Sequence, residues 1–138
     1  MAIETTEVMI GEIGYRIGHL SPEEQMKNLY MIERHDNSGA FSALVLFGMK
    51  PKKEVEDVDK GFDQLVRTVM SQMQKSMSYD EWQLFVKAML SKTFKIGEEK
   101  PHPVSVRDFQ GEMKNMLKLV AHSMRFQYSD FFCLSDQS

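Results

Sequence analysis

A chain of 138 residues, 42% hydrophobic and 27% charged with only four prolines and eight glycines, has the length and composition of one globular domain. That balance excludes a disordered chain, a collagen-like repeat and a disulfide scaffold. Seventeen basic against twenty acidic residues leave a formal net charge of -3, which disfavours binding to nucleic acid through phosphate neutralisation.

The charge is not segregated into an arm or tail: residues 1–60 hold seven basic and eleven acidic side chains, the remainder ten and nine. The single cysteine, Cys133, has no internal disulfide partner and no CxxC companion, which fits a reducing compartment. No stretch approaches the roughly 18 apolar residues of a membrane span. The first residues carry acids where a secretion signal needs a positive segment. The expectation is a soluble, cytoplasmic protein.

In chain order, the first twenty residues read as a β-hairpin. Thr5 to Ile10 is rich in β-branched residues, Gly14 to Gly18 alternates Tyr15 and Ile17 with Arg16, and Gly11 and Gly14 flank the turn. A lone hairpin is marginal in water, so it must lie on something else. Ser21-Pro22-Glu23-Glu24 starts a helix, with Ser21 as cap, Pro22 at the first helical position and Glu24 closing a capping box. Met26, Leu29 and Tyr30 follow at helical spacing, and the helix should end at Arg34 to Asp36, before Asn37-Ser38-Gly39. Ala40 to Met49 is nearly all apolar. Periodicity leaves helix and strand open there, and the Ser38 cap with Ala, Leu and Met selects helix.

Pro51 to Asp59 reads as a charged connector. Phe62, Leu65, Val66, Val69, Met70 and Met73 then form one apolar stripe, and the Ser78 to Glu81 capping box launches Trp82, Phe85, Val86, Met89 and Leu90 on the same template. Gly97 to Pro103 breaks the chain. Ser105 or Asp108 should start the last long helix, with Phe109, Met113, Met116, Leu117, Val120 and Met124 as its stripe. The predicted fold is mainly α: four to five helices in one compact domain over residues 1–138, comprising a short N-terminal β-hairpin (1–20) and a helical body (21–134).

Candidate chemistry is sparse. His19, His35, His102 and His122 are scattered, with no Cys, His or Glu at metal-ligand spacing, so they read as surface or satisfied histidines. Cys133, beside Phe131 and Phe132, lacks the base and positive setting of a nucleophile. Gly11, Gly14 and Gly18 follow neither the dinucleotide nor the P-loop spacing. Lys87, Lys92, Lys95 and Lys100 thicken positive charge, but Glu98 and Glu99 interrupt it, so a solvated face is the better reading. The sequence thus predicts no enzyme, no cofactor and no metal.

Two stretches resemble a known family. Thr5 to Arg34 is similar to the opening of the tail assembly chaperones of tailed bacteriophages, in which a hairpin ending in a Tyr-Arg-Ile-Gly-like step runs into a capped helix containing a Gln. Here those elements are Tyr15-Arg16-Ile17-Gly18, Leu20-Ser21 and Gln25. Asp108 to Phe132 resembles the closing helix of the same proteins, which ends in an aromatic Asp-Phe-Phe-like step. Where such proteins often carry paired basic residues after the first helix, this chain has Glu33-Arg34-His35.

The resemblance implies a non-catalytic helper. It would hold the long helical tape measure protein in solution while tail tube subunits polymerise around it, then leave. Its place would be the host cytoplasm and not the mature virion. The implied partners are proteins, the tape measure protein first and the tail tube subunit second, with self-association compatible and neither nucleic acid nor membrane involved. Such a client needs an adaptable apolar surface, and Met suits one. The expected partner-binding residues are therefore Met116, Met124, Phe126, Tyr128, Phe131 and Phe132. The competing reading of these six is packing within the domain or self-association. The rival function is a small phage or bacterial adaptor that binds and inhibits a host or defence protein. A small enzyme would instead require a pocket with convergent polar groups.

Overall fold

The computed structural model describes residues 4–35 and 55–132, with side chains for 4–35 and 61–128. Strands β1 (Thr5–Ile10) and β2 (Ile13–Gly18) pair antiparallel in a register running from Thr5 opposite Gly18 to Ile10 opposite Ile13. That leaves Gly11 and Glu12 as a two-residue loop. Gly11 has φ 64°, the left-handed conformation that such tight hairpins demand and that a side chain disfavours.

A third strand, β3 (Thr93–Lys95), adds antiparallel to β2 and completes a sheet in the order β1-β2-β3. The sequence reading did not anticipate it, because three residues are too few to show alternation. Its support comes from elsewhere: Gly18 N–H donates to Lys92 O at 2.8 Å and Ile96 N–H to Gly14 O at 2.9 Å, while Val104 N–H donates to Thr93 O at 2.9 Å on the far side. The proline-containing break thus packs against β3, with Phe94 bridged to Pro103.

Four α-helices are present among the described residues: α1 (Pro22–His35), α2 (Val55–Ser76), α3 (Tyr79–Leu90) and α4 (Met113–Phe132). The fold is mainly α with an N-terminal hairpin, as the sequence predicts. Helix α1 begins at Pro22, where Ser21 Oγ accepts the Glu24 N–H at 3.2 Å. Helix α2 starts at Val55, inside the stretch expected as a connector. The helix expected over Ala40 to Met49 lies outside the described residues. Both halves of the Ser78 and Glu81 box are made, Ser78 N–H to Glu81 Oε1 at 2.9 Å and Glu81 N–H to Ser78 Oγ at 3.1 Å. Helix α4 does not start at Ser105 or Asp108. Those residues close a short 3-10 turn (Val106–Phe109), and Gly111 at φ 79° then reverses the backbone before Met113.

The apolar stripes meet beneath the sheet. Ile10, Tyr15 and Ile17 point inward and join Phe62, Val66, Val69, Met70 and Met73 of α2, Phe85, Val86, Met89 and Leu90 of α3, and Leu119, Val120 and Met124 of α4 in one cluster. Burying each such side chain contributes roughly 1.5–3 kcal/mol, set against about 1–2 kcal/mol of backbone entropy per ordered residue. Continuity of this cluster therefore matters more than any one member.

The Glu81 carboxyl is held below its ordinary range, chiefly by the Ser78 backbone N–H it accepts, with Arg34 adding attraction. Folding thus favours its charged form. Its contribution is present above the ordinary glutamate value of about 4.3 and is lost as pH falls below it. Glu81→Gln keeps an acceptor for the cap but removes the titration. Urea unfolding midpoints measured from about pH 6 to 3 should fall less steeply for the variant than for the natural chain.

Candidate functional site

The two segments singled out at the ends of the sequence meet in space, and a buried amide joins them. Gln127, on α4, is 3% exposed. Its Oε1 accepts the Leu20 N–H at 2.9 Å and the Gln25 Nε2 at 3.0 Å. Its Nε2 donates to Gly18 O at 2.9 Å and reaches Ser123 Oγ at 3.4 Å. Two acceptor and two donor positions are all a glutamine amide has, so its capacity is used in full. Ser123 Oγ donates in turn to Met89 O at 2.8 Å, which carries the polar chain across to α3.

Tyr128 makes the parallel link, its hydroxyl donating to Gln25 O at 2.8 Å. Burial pushes the Tyr128 phenol well up, with the Glu24 charge adding, so the hydroxyl stays protonated and remains a donor. The end of β2, the start of α1 and the last turns of α4 are thereby held together. Three residues quoted from the opening segment, Gly18, Leu20 and Gln25, are the ones that α4 reads.

Placed in this frame, the six expected partner-binding residues separate. Met116, Met124 and Tyr128 are buried at 4%, 0% and 3% exposure, and their side chains belong to the core. For these three the burial agrees with the competing reading, packing within the domain. They lie on the helix face that closes over α2, α3 and the sheet. Phe126 is half-buried and stacks on His19, with ring centroids 4.1 Å apart and 15° between planes. Phe131 and Phe132 belong to α4 by their backbone, and their side chains lie outside the described ones.

Apolar side chains do reach the surface, but at other positions. Met26 is 70% and Tyr30 62% exposed, one turn apart on α1. The helical spacing of Met26, Leu29 and Tyr30 does not mark a buried stripe. The inward face of α1 is instead Asn28, Ile32 and His35, with Leu29 and Met31 half-buried. Two of those inward residues are polar and escape a hydrophobic pattern. Asn28 Nδ2 donates to Glu24 O at 2.8 Å, and His35 Nδ1 is hydrogen-bonded to the Ser76 hydroxyl while its Nε2 lies 3.9 Å from Glu81 Oε1. The signal that was available is the interval between Asn28 and His35, seven residues, with Ile32 between them.

The remaining histidines are engaged locally. His102 lies 3.6 Å from Glu98, and the His122 ring stacks on Phe62 at 4.5 Å. Arg125 also lies over the Phe62 ring, 5.4 Å from its centroid, and burial lowers the pKa of its guanidinium. Among the described residues, no three His, Cys, Asp or Glu side chains converge as a metal site would require, and no helix is long and apolar enough to cross a membrane. Cys133 lies outside the described residues.

Gln127→Leu keeps the side-chain volume but strands the Leu20 N–H and Gly18 carbonyl without partners. At roughly 1–3 kcal/mol for each buried unsatisfied group, the variant should lose about 2–6 kcal/mol in urea unfolding, far more than an exposed Gln→Leu change on the same helix.

Comparison with known families completes the picture: the family model described as phage tail assembly chaperone protein, TAC, matches residues 11–138. Neither the curated proteins nor the solved structures contain a match.

Proposed function

The chain belongs to the phage tail assembly chaperone family, and from that premise we propose that it binds the helical tape measure protein and keeps it soluble while the tail tube assembles. The observation that carries the reading is the extent of the match. It spans residues 11–138 and so takes in the opening segment from Gly11 on, the whole closing segment and the junction between them. Holding an aggregation-prone helix requires no bond to be made or broken. It requires apolar surface that competes with the client's own self-association. The work would be done in the host cytoplasm, with the helper absent from the finished virion.

The client contact is proposed at the C-terminal end of α4, on Phe126, Phe131 and Phe132. Phe126 supports this placement because it is only half-buried and rests on His19 beside the Gln127 junction. Met116, Met124 and Tyr128 serve the same surface indirectly, by seating the helix that carries it. An aromatic group there offers a large contact area at small entropy cost.

Co-expression with a tape measure protein from the same genome tests the reading. The natural chain should bring that protein into the soluble fraction and co-purify with it. Phe131→Ser with Phe132→Ser should leave the chain folded by circular dichroism yet reduce soluble tape measure protein severalfold. Undiminished soluble client with the double variant would overturn the placement, and failure of the natural chain to solubilise the client would overturn the function.

A further inference from the structure

The exposed face of α1 is amphipathic and has no partner in the described structure. Met26 and Tyr30 stand on it one turn apart, at 70% and 62% exposure. Around them lie Glu23, Lys27, Glu33 and Arg34, all exposed. Glu23 stands in the first turn and Arg34 in the last, with Lys27 and Glu33 between them. Arg34 also rests over the Tyr30 ring, 5.5 Å from its centroid, so the base and the aromatic form one surface.

Such a face is complementary to itself when turned end over end. Laid antiparallel on its own copy, the midpoint of α1 falls between Lys27 and Tyr30. Met26 then meets the copy's Tyr30, and Glu23 meets the copy's Arg34, each contact occurring twice by two-fold symmetry. The two helix dipoles also run in opposition, with Glu23 at each N-terminal end beside the copy's Arg34 at its C-terminal end. A parallel arrangement loses this, because it sets Glu23 against Glu23 and Arg34 against Arg34.

We propose that α1 is a self-association surface, and that its occupant is α1 of a second copy of this chain in antiparallel orientation. Charge pairing sets the register, and the Met26 and Tyr30 contacts supply the burial. A 14-residue helix is about 21 Å long, so two such helices alone bury less than a standard interface of roughly 1,200–2,000 Å². The dimer is accordingly weak and depends on concentration. It uses no residue assigned to the client, so it stands or falls separately from the chaperone reading.

Sedimentation velocity on the full chain over a hundredfold concentration range tests the proposal, with thermal melts confirming that each variant is folded. The natural chain should shift from monomer to dimer. Glu23→Arg alone and Arg34→Glu alone each create two like-charge contacts and should weaken dimerisation at least tenfold. The double reversal, Glu23→Arg with Arg34→Glu, should restore it. Met26→Gln with Tyr30→Gln should abolish it irrespective of charge. A natural chain that stays monomeric throughout overturns the proposal, as does a double reversal no better than the single variants. Loss of tape measure binding in the Met26 and Tyr30 variant, with no dimer in the natural chain, would assign the face to the client instead.

Discussion

One buried amide sets the arrangement on which the rest of this structure depends. Gln127 is separated from Leu20 by 107 residues and from Gly18 by 109, yet it hydrogen-bonds both backbones. The first twenty residues form a hairpin too small to be stable alone, and its last strand ends in backbone groups with no partner of their own in the sheet. Gln127 supplies both a donor and an acceptor at that point. Such a contact adds little net energy when it is made. Its force lies in the cost of any packing that would leave the amide or its partners unpaired, and this selects one orientation of the hairpin on α4. Closing a loop of this length costs only a few RT more than closing a short one, so the hydrophobic cluster can bear it.

Methionines complete that cluster rather than advertise a binding groove. Six of the twelve in the sequence, Met70, Met73, Met77, Met89, Met116 and Met124, are buried where helices α2, α3 and α4 converge on the sheet. An unbranched, flexible side chain fills the irregular space between helices that meet at different angles. Among the described residues, only Met9, Met26 and Met113 stand well exposed, and Met26 is the one with an exposed aromatic neighbour a turn away. Helix α1, which carries that pair, and α4 are the two helices that Gln127 and Tyr128 tie together.

Much of this was legible in the sequence, and the failures have physical causes. The stripes of α2 and α3 appear where the spacing of Phe62 to Met73 and of Phe85 to Leu90 puts them, because each carries enough apolar residues to dominate its helix. The Ser78 and Glu81 box is visible as a motif because both halves are local. The inward face of α1 is not legible in the sequence because it includes Asn28 and His35, whose burial depends on partners at Glu24 and Ser76. The latter lies 41 residues away, beyond any local pattern. β3 escaped notice because its order comes from β2 and from the Pro103 segment. The same limit explains Met116, Met124 and Tyr128: a stripe shows that a residue is apolar, but not whether another element covers it.

The end segments that carry the family resemblance are thus the segments that the fold joins, and the client surface proposed for α4 stands on that joint. The most direct test is the exchange rate of the Leu20 amide proton, followed by NMR in deuterated buffer under native conditions. If Gln127 locks the hairpin to α4, Leu20 should be protected to the same degree as the central amides of α4 and released only with global unfolding. A Leu20 proton that exchanges orders of magnitude faster while those amides stay protected would mean that the hairpin opens independently, and would contradict the account.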